Sequence, residues 1–165
     1  MIASAHVLGG FVSGLAAASA ITNRAGRIVT AFALGVLSHV VLDAIPHADY
    51  AFLSRSTVRV VVVCEIVLAV SLSWLIVRSR RPPGWRASLP VGLAGAMIPD
   101  VKFIAPVLLP APAALWVQQT ANRFHGLFHA DRSPIAVGLT AEVLCTLLLL
   151  ASLTLFPRRH QAQRS

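Results

Sequence analysis

Ionisable residues interrupt this apolar chain in a few places, and their spacing is that of metal ligands. The stretch Ser38-His39-Val40-Val41-Leu42-Asp43-Ala44-Ile45-Pro46-His47-Ala48-Asp49 carries His39, Asp43 and His47 at every fourth position. His125 and His129 repeat the same step, and Asp100 follows Pro99. Side chains four apart share one face of an α-helix, so His39 and Asp43 are predicted to act together. Pro46 disfavours helix at the residue before it, and the resulting break turns His47 back toward the same place. Imidazole nitrogens and carboxylate oxygens without thiolates suit zinc, manganese or iron. Three protein ligands and an open position make a catalytic site, in which a divalent metal lowers the pKa of water to about 7. His39, Asp43, His125 and His129 are the predicted ligands, with His6 at the rim. His47 and Asp100 are predicted as the base or as ligands of a second metal, an arrangement that suits phosphoester hydrolysis.

The elements that must hold these residues are membrane helices. Of 165 residues, 56% are hydrophobic and only 12% are charged, and the mean hydropathy is +0.75. Water-soluble domains carry roughly 25% charged residues, so the polar surface is too small to cover a soluble fold. A bilayer span takes about 20 mostly apolar residues. Five segments fit: Ile2–Ile21, Ile28–Ile45, Val58–Val77, Leu89–Leu109 and Ile135–Phe156. The first ends in Ala18-Ser19-Ala20, which imitates a signal-cleavage site. It lacks a basic leader and carries His6, so it reads as a retained helix. Ala111–His129 is too polar to span. Its Gln118, Asn122, His125 and His129 form a stripe at helical steps, predicting an amphipathic helix at the interface with its polar side toward the bundle. The fold class is therefore all-α: a polytopic membrane bundle of about five transmembrane helices plus one interfacial helix. One domain covers residues 1–157, and a basic cytoplasmic tail covers 158–165. Cys64 and Cys145 lie inside apolar runs and read as small core residues.

The net charge of +8 is a topology signal. With the N-terminus outside and the C-terminus in the cytoplasm, nine basic residues face the cytoplasm and five face out, as the positive-inside rule favours. The arginines occupy short inter-helix loops without interleaved aromatics, which argues against nucleic-acid binding. In this arrangement all six acids and five of the six histidines collect at the outer membrane face, with only His160 apart. The expected partners are membrane lipids and a lipid-linked or membrane-proximal substrate.

Other readings compete. A lone histidine such as His6 is commonly a hydrogen-bonded interfacial residue, and Glu65 and Glu142 would pair with arginines or polar groups in the bundle. A transporter or proton relay would need a path through Glu65, Asp100 and Glu142, yet the inner half of every predicted span is nearly free of ionisable groups. A structural cluster would merely hold the helices together. Ionisable groups within spans nevertheless cost about 2.5–3.5 kcal/mol at a helix centre and are functional by default.

A histidine near the start of the first helix, a Pro-Asp at the end of a later one, and a histidine pair before another span resemble the bacterial membrane-bound metal-dependent hydrolases, which are small inner-membrane proteins. The resemblance covers most of the chain through short motifs. It aligns that family's first histidine with His6, its Leu-Pro-Asp with Ile98-Pro99-Asp100, and its histidine pair with His125 and His129. Val101-Lys102 after the aspartate and Gly126 after His125 depart from the pattern. The resemblance implies an inner-membrane fold and a metal-dependent hydrolase activity.

Overall fold

The first segment is rich in Gly and Ala and apolar all round, and a helix with no polar face belongs in a core. The computed structural model, which describes residues 3–45, 54–78, 82–103, 105–128 and 134–156, places it there. This helix, α1 (Ala3–Ala20), buries every residue from Ser4 to Phe11. Around it pack α2 (Arg24–Asp43), α3 (Arg55–Val77), α4 (Trp85–Met97) and α7 (Ile135–Leu155). After α4 the chain makes a 3-10 turn, Ile98–Phe103, then the short α5 (Ala105–Leu108) and α6 (Ala111–Phe128). Among the described residues all regular structure is helical.

Three of these helices are long and apolar enough to cross a bilayer: α2, α3 over Val60–Val77, and α7. Their outer faces expose large apolar side chains, including Val41 on α2, Val67 and Leu68 on α3, and Leu144 and Leu148 on α7. In water that surface would be a liability; against lipid it is the expected one. Cys64 belongs to this outer face and Cys145 is half-buried, so the cysteines are not core residues. Beside lipid a small apolar side chain is tolerated on either face of a helix.

The expected five spans are not all found. Ser4–Ala20 is apolar but shorter. Leu89–Leu109 is not one helix: α4 ends at Met97 after 13 residues, about 20 Å at 1.5 Å per residue, short of a core roughly 30 Å thick. At Pro99, which has no N–H to donate into the ladder of α4, the chain tightens into the 3-10 turn with Ile98 still in the right-handed helical region, and Pro106 and Pro110 follow.

Close approach between backbones sets how α4 sits. A Cβ on Gly10 would lie 2.6 Å from Leu93 Cα, one on Gly14 2.6 Å from Leu89 Cα, and one on Gly92 2.6 Å from the Gly10 carbonyl oxygen. On the other side a Cβ at Gly35 of α2 would collide with the Gly92 carbonyl. Helix α4 is thus wedged between α1 and α2 at backbone-to-backbone distance, the small-residue packing that membrane helices use. At the far end from the histidines, Arg27 ties the connection: its Nε donates to the Ile21 carbonyl at 3.1 Å and its Nη2 to that of Thr22 at 2.7 Å. The Asn23 side chain caps α2 by accepting from Gly26 N at 2.6 Å.

Candidate metal centre

The glycine stripes lead directly to the site. On α1, His6, Gly10 and Gly14 fall at steps of four; on α2, Ala31, Gly35, His39 and Asp43 do the same and are all buried. Each helix therefore carries close-packing residues in its middle and ligand-type residues at one end of the same face. Crossing at the glycines brings those ends together. His6, His39 and Asp43 are 0%, 1% and 1% exposed, and one ligand atom from each lies within 4.8 Å of the others.

The distances are those of a ligand set. His39 Nε2 is 3.0 Å from Asp43 Oδ2, and His6 Nε2 is 3.5 Å from Asp43 Oδ1. The two imidazole rings lie with centroids 4.2 Å apart. Donors around a tetrahedral metal with bonds near 2.0–2.2 Å stand roughly 3.5 Å from one another. His39 Nδ1 is 2.6 Å from the Ala96 carbonyl oxygen. A carbonyl only accepts, so Nδ1 carries the proton. In a neutral ring that directs the Nε2 lone pair at the Asp43 carboxylate, and two acceptors 3.0 Å apart need a cation between them. A proton or a metal meets the need at His39; a divalent metal serves both imidazoles and the carboxylate together. A histidine held through its other nitrogen by a backbone carbonyl is also the usual outer support of a metal ligand. The buried His6, His39 and Asp43 group could hold a metal ion.

The 3-10 turn supplies the surroundings. Asp100 is half-buried, and its Oδ1 is buried with no hydrogen-bond partner among the described residues. Asp100 lies within electrostatic reach of His39 and Asp43. Lys102, 8% exposed, interacts electrostatically with Asp100 and Asp43. Gln118 Nε2 of α6 donates to the Lys102 carbonyl at 3.3 Å, docking α6 at this end of the bundle.

Against the sequence expectations, the structure brings together His6, His39 and Asp43, with Asp100 beside them. His6 is fully buried at the centre and not at the rim. His125 lies on α6, which packs against the 3-10 turn and α2; its side chain, with all of His47 and His129, lies outside the described residues. On α6 the buried edge runs through Ala114, Gln118 and Ala121, while Asn122 is exposed, so only part of the expected polar stripe faces the bundle. Glu142 on α7 is buried outside the three-residue group. Lys102 entered the sequence reading only as a departure after Pro-Asp and not as a site residue, because a single lysine carries no periodic signal. No protein-family model, curated protein or solved structure matches the chain.

Proposed function

We propose that this protein is a metal-dependent hydrolase of the bacterial inner membrane, with its cation held by His6, His39 and Asp43. The observation that carries the reading is the buried pair of imidazole nitrogens facing one carboxylate, with His39 fixed from behind by Ala96. Two imidazoles and a carboxylate favour zinc, with manganese or iron as alternatives. When bound, such a cation supplies Lewis-acid activation of water. The chain's own residues would do the rest. Asp43 balances the charge, Ala96 orients His39, and Asp100 accepts a proton from the attacking water through its buried oxygen. His125, His47 and His129 remain candidates for further ligands or a base. The aromatic residues favour a bilayer setting: Trp74 and Trp85 pair at one end of the bundle with ring centroids 5.8 Å apart, and exposed Trp116 marks the other, like interfacial belts. The arginine asymmetry favours an outward N-terminus and a cytoplasmic C-terminus, which sets the site at the outer face near lipid-linked substrates.

The deciding experiment is metal analysis of the detergent-purified protein, wild type beside His39→Ala. Stoichiometric divalent metal in the wild type and its loss in the variant are expected. A wild type that neither carries metal nor takes it up sinks the hydrolase reading. The His6–Asp43 contact between α1 and α2 then favours a second reading, a polar clamp that holds the helices together.

A further inference from the structure

The arginines at the end of the bundle away from the histidines have no acidic side chains around them in their own elements. Arg24 and Arg27 lie in the first turn of α2, Arg78 caps α3 and Arg86 lies in the first turn of α4. No aspartate or glutamate occurs in residues 18–30, 74–90 or 150–165. Arg27 serves the fold: two of its nitrogens donate to the Ile21 and Thr22 carbonyls. A Cβ on Gly84 would overlap its Nη1, so it also ties the α1–α2 connection to the turn before α4. Arg78 and Arg86 are exposed, and aromatic rings place them. Trp74 of α3 and Trp85 of α4 lie with ring centroids 5.8 Å apart. The Arg78 backbone N–H donates to the Trp74 carbonyl at 2.9 Å, so Arg78 stands one turn beyond Trp74 on the same face. The Arg86 guanidinium carbon is 5.9 Å from the Trp85 ring centroid. A guanidinium over a ring keeps its N–H donors, which lie in its own plane. Two arginines thus flank one tryptophan pair across two helices.

The face of α3 that ends there is built in the order of a phospholipid. Val67, Val70, Trp74 and Arg78 follow at steps of three, four and four, and all are exposed. Apolar side chains come first, then an amphipathic ring, then a cation. In a bilayer that order matches acyl chain, interface and phosphate. A phosphodiester offers paired oxygens that guanidinium donors match bidentately. A zwitterionic head group would also bring an ammonium, and with no carboxylate in these elements that ammonium meets only arginines. We propose that Arg78 and Arg86, set about the Trp74–Trp85 pair, bind the phosphate of an anionic phospholipid whose acyl chain lies along Val67 and Val70. The site is at the opposite end of the bundle from His6, His39 and Asp43, so it stands whether or not that group is hydrolytic.

The test is native mass spectrometry of the full chain, released from detergent micelles that hold equal amounts of phosphatidylglycerol and phosphatidylcholine with the same acyl chains. The wild type should retain phosphatidylglycerol over phosphatidylcholine. Arg78→Gln and Arg86→Gln should each lower that preference about fivefold, and together about 25-fold, as expected for losing arginines beside an anionic lipid. Trp85→Leu should lower it as well, a loss that arginines serving orientation alone would not produce. Arg123→Gln, which removes the same charge from α6, should leave it unchanged. Equal retention of the two lipids by the wild type overturns the proposal, as do unchanged preferences in Arg78→Gln, Arg86→Gln and Trp85→Leu. A loss in Arg123→Gln as large as that in Arg78→Gln marks general attraction to anionic lipid and also overturns it. Displacement of the bound lipid by an equal concentration of its deacylated head group points to a free phosphodiester and has the same consequence. If the double glutamine variant does not insert, the single variants decide.

Discussion

His39 and Asp43 stand one helical turn apart on α2 with Nε2 3.0 Å from Oδ2, and the far side of the His39 ring is held by the Ala96 carbonyl of α4 at 2.6 Å. The ring is therefore fixed by two helices at once, which is how a ligand is preorganised before its metal arrives. His6 completes the arrangement from a third helix, α1.

His6 should matter as much as His39. Changing an outer support of a metal ligand costs about 10–100-fold in affinity, so removing a ligand should cost more. His6→Ala should lose zinc affinity by more than about 100-fold, while Glu142→Gln, outside the group, should keep it. Competition with a chromophoric chelator reads both, and equal affinity for His6→Ala and wild type would remove His6 from the ligand set.

Asp100→Asn should retain metal and lose turnover. General-base catalysis contributes about 10²–10⁴-fold, and kcat should fall within that range. Metal content measured beside the rate separates a lost base from a lost site.

Zinc binding should weaken on acidification. Imidazole binds metal in its neutral form, so protons compete as pH falls through the ordinary histidine range near about 6.5. Affinity should be greatest above that range and drop steadily below it. A flat profile across it would exclude imidazole ligands.

The glycine crossing should be intolerant. Gly92→Leu places a branched side chain where a Cβ already meets Gly10 and Gly14 backbone at 2.6 Å. Overpacking of this kind costs about 1–3 kcal/mol or more, and the backbone cannot retreat without moving α4. Gly126→Ala, with nothing within 4 Å of the new Cβ, should be neutral or gain up to about 1 kcal/mol from helix propensity. Thermal unfolding in detergent compares them, and metal loss in Gly92→Leu would tie the crossing to the site.

Reporter fusions after Pro157 test the orientation. A cytoplasmic reporter should be active there and a periplasmic one silent, as the basic residues in the loops favour. The opposite pattern would move the site to the cytoplasmic face.

What the sequence determined by itself was local or compositional. The apolar runs make α2, α3 and α7 long enough to span, because bilayer thickness sets a length that can be counted. The His39–Asp43 pairing follows from helical periodicity alone, whereas the end of α4 does not: Leu89–Leu109 reads as one apolar run, and Pro90 lies inside the helix that ends before Pro99. What tertiary structure decided is long-range. His6 lies far from Asp43 along the chain, and no periodicity links them. It reaches Asp43 because Gly10 and Gly14 let α4 approach α1, while Gly35 lets the same helix approach α2. The signal was present as two stripes, His6 with Gly10 and Gly14, and Gly35 with His39 and Asp43. Glycines at a crossing announce close contact without naming the partner. Which helix fills the gap is settled only when side chains of three helices compete for one volume, and that competition also buried Lys102 beside the carboxylates.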